Sequence, residues 1–119
     1  MKILVLNQIT LCADGSIGIQ WLKQVLDPDT GEILFSEPHR TAVDFDGDAD
    51  LQIDEVSKGL QAMGYGAVTA KMRTLIKRVD GLGKSDDAIN ARRDAKISAK
   101  AEARAEEVRA AKQAQREAV

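Results

Sequence analysis

The stretch most suggestive of chemistry is Asp44-Phe45-Asp46-Gly47-Asp48-Ala49-Asp50-Leu51-Gln52-Ile53-Asp54-Glu55. Counted from Asp44, acids fall at positions 1, 3, 5 and 7, a hydrophobe at 8 and Glu55 at 12. Those are the offsets at which the calcium loop of helix–loop–helix proteins gathers hard oxygen ligands, the final glutamate binding through both oxygens. Two features oppose a calcium site. Position 6 is Ala49, where the sharp turn needs glycine, and the residues before Asp44 have strand rather than helix spacing. The expectation is an acidic loop that caps the next helix, with no metal bound. Asp44, Asp46, Asp48, Asp50 and Glu55 are the carboxylates a cation would have to claim.

Other reactive side chains are isolated. His39 is the single histidine, in Glu37-Pro38-His39-Arg40, where Glu37 could orient it as a carboxylate orients a base. No serine or cysteine has the context of a nucleophile, so His39 and Arg40 are expected to tie strand ends together by hydrogen bonds. Cys12 is the single cysteine, which excludes an internal disulfide and a thiolate cluster, and it reads as a buried small hydrophobe at a strand end. Gly64-Tyr65-Gly66 and Gly81-Leu82-Gly83 lack the strand-before, helix-after setting of a phosphate loop and read as helix ends. Lys71, Arg73, Lys77 and Arg78 form a basic face suited to solvent or to the acidic N-terminal part. No catalytic residues, no cofactors and no enzyme activity are expected from these readings.

Composition narrows the classes further. Trp21, Phe35, Phe45 and Tyr65 are the aromatic residues, too few for a roomy aromatic ligand pocket or a base-stacking platform. Met1 to Leu6 meets polar Asn7-Gln8 at once, too short an apolar run for a signal peptide, and no stretch approaches a membrane span. Residues 1–55 carry three basic and eleven acidic side chains, residues 56–85 six basic and one acidic, and residues 86–119 eight basic and seven acidic. Such segregation suits acidic-to-basic docking within the fold or between copies, and lacks the basic excess that nucleic acid would demand.

The elements that must position these residues are legible from pattern. Lys2 to Leu11 reads as a strand, Ala13-Asp14-Gly15-Ser16 as a turn, and Ile17, Ile19 and Trp21 as one face of a second strand. Asp27 to Gly31 is another turn, Glu32 to Ser36 a third strand, and His39 to Phe45 a short fourth after the interruption at Glu37-Pro38. Leu51, Ile53, Val56, Leu60 and Met63 then mark a helical stripe capped by Asp48 or Asp50. A second helix from about Ala67 to Val79 turns Val68, Met72, Leu75, Ile76 and Val79 inward and ends at Gly81-Leu82-Gly83. The expected fold class is α+β. It comprises an antiparallel β-meander of three or four strands over residues 1–48, two packed helices over 49–84 and a helical arm over 85–119. Ile17, Ile19 and Trp21 are expected to meet Val56, Leu60, Leu75 and Ile76.

The arm stands apart. Asp86–Val119 holds eleven alanines and fifteen charges, with Ile89, Ile97, Val108 and Val119 as its larger apolar residues. Propensity alone favours a helix, about 50 Å long if continuous. Its apolar line is too narrow for a strong coiled coil. The segment reads either as a frayed, solvated tail or as an arm that lies along a partner protein, and in the second case Ile89, Ile97 and Val108 are the residues expected to anchor it to a neighbouring chain.

Three runs carry a resemblance: Ala13-Asp14-Gly15-Ser16-Ile17-Gly18-Ile19-Gln20-Trp21, Thr30-Gly31-Glu32-Ile33, and Glu37-Pro38-His39-Arg40-Thr41. Together they are similar to small proteins of tailed bacteriophages encoded among tail and tail-fibre genes. Those proteins share such a hairpin, a second Asp/Gly turn, a His-Arg step, an acidic Asp/Gly loop and a following helix. The likeness spans about residues 5–65; Asp44-Phe45-Asp46 stands where a Pro-Gly-Asp turn is common. The resemblance implies a structural or adaptor subunit of the virion, in the tail, the baseplate or fibre attachment, made in the host cytoplasm. Its partners would be other tail or fibre proteins and further copies of itself, a trimer being favoured, with no nucleic acid and no membrane. A cytoplasmic binding module or assembly chaperone outside the particle, with or without calcium, is the alternative.

Overall fold

A computed structural model describes residues 1–118; Val119, the last residue of the expected arm, lies outside the described residues. The order is β1 (Lys2–Leu11), β2 (Ile17–Leu26), β3 (Ile33–Val43), α1 (Ala49–Ala62), α2 (Ala70–Lys84) and α3 (Asp87–Glu117). The strands form one antiparallel meander in the order β1-β2-β3, so the fold is α+β as the pattern predicts.

Both turns are built by aspartates that satisfy local backbone donors. Asp14 accepts from the amide and hydroxyl of Ser16, and Gly15 supplies φ of +88°. Asp27 accepts from the amides of Asp29 and Thr30. The sheet has three strands, not four: β3 runs unbroken through Glu37-Pro38, with Pro38 opposite Leu22. An edge strand has a row of N–H groups with no ladder partner, so proline is accommodated there without breaking the sheet.

Period-2 alternation decides which sheet face is covered. Ile17, Ile19 and Trp21 on β2 are fully or nearly fully buried. They share one core with Val43 of β3, with Ile53, Leu60, Val68 and Ile76 from the helical region, and with partly buried Leu6, Ile9, Leu11, Val56 and Met72. The Trp21 indole N–H donates to the Thr41 hydroxyl at 2.9 Å, so its polar atom is satisfied. Residues 1–48 and 49–84 thus contribute to a single core, in which the Ile17–Trp21 face meets Val56, Leu60 and Ile76 as expected.

Two expectations for α2 are corrected. Leu75 is 39% exposed rather than inward, because Met72, Ile76 and Val79 already fill the sheet-facing line and Leu75 lies to one side of it. Nor do Gly81 and Gly83 end the helix, which continues to Lys84. A Cβ on Gly83 would stand 3.0 Å from the Leu11 Cδ1, so this glycine lets α2 approach β1 closely instead of terminating it. Asp48, Thr69 and Asp86 are the N-caps of α1, α2 and α3, each accepting an amide proton three residues on.

The molecule is elongated. Its radius of gyration is 19.7 Å, against about 14 Å for a globule of this length. The excess comes from α3, whose second half extends past the body.

Candidate functional site

The acidic loop between β3 and α1 does not gather its carboxylates; it distributes them. Asp48 caps α1 through the Leu51 amide at 3.1 Å. Asp50 accepts from Arg73 at 3.0 Å and Lys77 at 2.9 Å, and Asp54 also pairs with Arg73. Glu55 faces Lys58, one turn on along the same helix, at 3.4 Å. Asp44 and Asp46 both face Lys100 of α3, at 3.9 and 3.3 Å. Among the described residues no group of three or more Asp, Glu, His or Cys side chains is arranged to hold a metal ion. The Lys77 ammonium, then the Arg73 guanidinium, hold the Asp50 carboxyl below its ordinary range, and Asp54 followed by Asp50 raises Arg73. Much of the basic face of α2 is therefore spent on α1. Gln52 was not singled out from sequence, yet its side chain accepts the Asp44 amide proton at 2.6 Å and ties the loop back to the helix.

The arm is not detached from the body along its whole length. Ile89 is buried. Arg92 donates to the Ala13 carbonyl, Lys96 reaches Asp14 at 2.7 Å, and Lys100 reaches the acidic loop. Arg92, Lys96 and Lys100 are spaced i, i+4, i+8, one ridge of a helix. That spacing is present in the sequence and is the signal by which the docking could have been foreseen. Lys96 and Lys100 also lie over the Phe45 ring, 5.5 and 4.8 Å from its centre. The Lys96 ammonium, followed by the Ser16 hydroxyl and amide, holds the Asp14 carboxyl far below the usual carboxylate range. Gly15 lies directly beneath the Arg93 guanidinium, leaving no room for a side chain.

The three expected anchors divide. Ile89 is committed to the protein's own body, whereas Ile97 and Val108 are 40% and 53% exposed. From Ala101 to Ala118 every side chain is exposed.

His39 and Arg40 do not tie strand ends together: among the described residues neither side chain makes a hydrogen bond, and Glu37 pairs with Lys23 at 3.4 Å instead. The register explains this. His39 pairs with Trp21 and Glu37 with Lys23, so Glu37 has a cation beside it on the same face. Arg40 points to the opposite, open face, where with Gln8, Thr10 and Gln20 it lines a depression of about 240 Å³ over Gly18. That is below the roughly 300–1,000 Å³ usual for a small-molecule site. Cys12, expected buried, is half-buried just past the end of β1. No helix is long and apolar enough to cross a membrane among the described residues. Compared with known proteins, the chain matches no family model, no curated protein and no solved structure.

Proposed function

We propose that the protein is a structural or adaptor subunit of a tailed-bacteriophage particle, in the tail, the baseplate or fibre attachment, and works through contacts with other chains rather than by catalysis. The observation that carries this is the outer half of α3. From Ala101 to Ala118 all side chains are exposed on a helix that helps extend the molecule to 71 Å along one axis. A helix without a wide apolar stripe gains little from packing and frays alone, so a neighbouring subunit is what can hold it straight. Its alanines would let that neighbour approach closely. The phage setting rests on the resemblance of the β1–β2 hairpin, the second turn and the His-Arg step. Copies would assemble symmetrically, a trimer being favoured, with other tail or fibre proteins as partners.

The test is mass spectrometry of purified particles together with a chain ending at Lys100. The cut belongs there and not at residue 85, since Ile89, Lys96 and Lys100 are bound to the body. The shortened chain should keep its fold by circular dichroism and lose incorporation. Absence of the full chain from particles, or normal incorporation of the shortened one, defeats the proposal.

A further inference from the structure

The two ends of the sheet body carry exposed apolar surface with opposite charge. At one end, the β2–β3 turn brings Ile33, Leu34 and Phe35 into solvent, 55%, 60% and 47% exposed. Asp27, Asp29 and Glu32 lie in the turn that leads into them. The Met1 amino group lies at the same end, donating to the Leu26 carbonyl, and offsets one of these charges. At the other end, α2 presents Leu75 and Leu82, 39% and 64% exposed. They alternate with Lys71 and Arg78 at spacings of four, three and four, which places all four on one helical stripe. Among the described residues Lys71 and Arg78 have no ion-pair partner, unlike Arg73, Lys77 and Lys84.

One molecule cannot join these patches to each other. Gly83 sits against Leu11 at the β1–β2 end of the sheet, whereas Ile33 stands at the β2–β3 end. A ten-residue strand separates them, roughly 33 Å.

We infer that the acidic hairpin tip of one copy docks on the Lys71–Leu75–Arg78–Leu82 stripe of a second copy, head to tail. Apolar residues at each centre would exclude water, and the acidic rim would meet the two unpaired cations. A second copy is a better occupant than a lipid surface, because Asp27, Asp29 and Glu32 repel anionic headgroups. Since the two patches differ, the contact is heterologous and propagates into a closed ring or an open filament. Each patch is small beside a standard interface, so the contact is concentration-dependent until a ring closes. It rests on the multi-copy subunit reading above and names the surface through which copies meet.

The experiment is sedimentation velocity on the full chain over a concentration series, with Leu34→Lys and Leu82→Glu, both at exposed positions. The wild type should self-associate, and either variant should weaken association at least about tenfold while its thermal melt stays unchanged. Mixing the two variants discriminates further. One retains a working stripe and the other a working tip, so a mixture should form a one-to-one dimer that grows no larger. A wild type monomeric at every concentration, association surviving both substitutions, or a mixture that stays monomeric overturns the inference. Presence in purified particles is a separate readout: a chain found there but monomeric in solution keeps the proposed function and loses this contact.

Discussion

Residues 87–100 and 101–117 of α3 belong to one helix of nearly one composition, rich in alanine and charge, yet the first part is held against the body and the second leaves every side chain in solvent. Ile89 alone in the helix is buried, and Arg92, Lys96 and Lys100 follow on a single ridge that meets the Ala13 carbonyl, Asp14 and the acidic loop. Beyond Lys100 the charges continue but have no acidic turn opposite them. The contrast shows that composition makes this segment helical, while the register of a few cations against the Asp14 turn and the acidic loop decides where it is docked.

The largest break in that contrast would come from the platform beneath the docked half. Trp21→Ala removes a fully buried ring and strands the Thr41 hydroxyl, and should cost about 3–5 kcal/mol. That is a large share of the roughly 5–15 kcal/mol that holds an ordinary domain together. In a denaturant titration the signals of the sheet and of residues 87–100 should be lost together. An unchanged midpoint would remove Trp21 from the core.

A matched pair of substitutions sharpens the comparison within the helix itself. Ile89→Ala empties a buried position and should cost about 2 kcal/mol. Val108→Ala, at a side chain 53% exposed, should stay within about 0.5 kcal/mol. Equal losses in thermal melts would mean that the outer half is also supported by the body.

Much of this was readable in the residues, and the misses have physical causes. The Asp-Gly and Asp-Pro turns, the alternation of Ile17, Ile19 and Trp21 and the stripe through Ile53 and Leu60 located the sheet, its covered face and α1. Proline at position 38 read as an interruption because sequence does not show which strand is an edge. Gly83 read as a stop because its purpose, space for Leu11, depends on a residue 72 positions earlier. The docking of the first half of α3 is hidden in the same way, because apolar spacing does not mark a contact made mainly by cations with residues far earlier in the chain. The carboxylates of the loop are plain in the sequence, but their partners Lys77, Arg73 and Lys100 lie far along the chain.

The Lys96–Asp14 pair tests the electrostatic part of the docking. Asp14 has a carboxyl pKa depressed by Lys96 and Ser16. A group with a lowered folded-state pKa adds stability above its unfolded value, near 4, and that stability is lost as pH falls below it. Protection of the amides of residues 87–100, taken relative to the intrinsic exchange rate at each pH, should therefore fall on going from pH 5 to pH 2, with residues 101–117 unprotected at both. Lys96→Ala should cost about 1 kcal/mol at pH 7, the Lys96 side chain being 55% exposed and so partly screened. It should also flatten the acid dependence. A pH response equal in both halves would disconnect the docking from Asp14.

The smallest effect expected is that of calcium, and the same geometry gives the reason. A cation in the loop would need Asp44, Asp46, Asp48, Asp50 and Glu55 to converge. Asp48 would have to leave the Leu51 amide, Asp50 would have to leave Arg73 and Lys77, and Asp44 and Asp46 would have to release Lys100. Binding would thus be charged with undocking the first half of α3 as well as with bending the loop at Ala49, where no glycine eases the turn. Sites of this ligand type reach affinities near or below about 1 μM through ligand charge and site rigidity, and here the carboxylates are committed to separate partners. Calorimetric titration of the full chain with calcium should give no saturable heat in the micromolar range, and the thermal midpoint should not move. Micromolar binding abolished by Glu55→Gln, with faster exchange of residues 87–100 as calcium is added, would show that the loop and the docked helix compete for the same carboxylates.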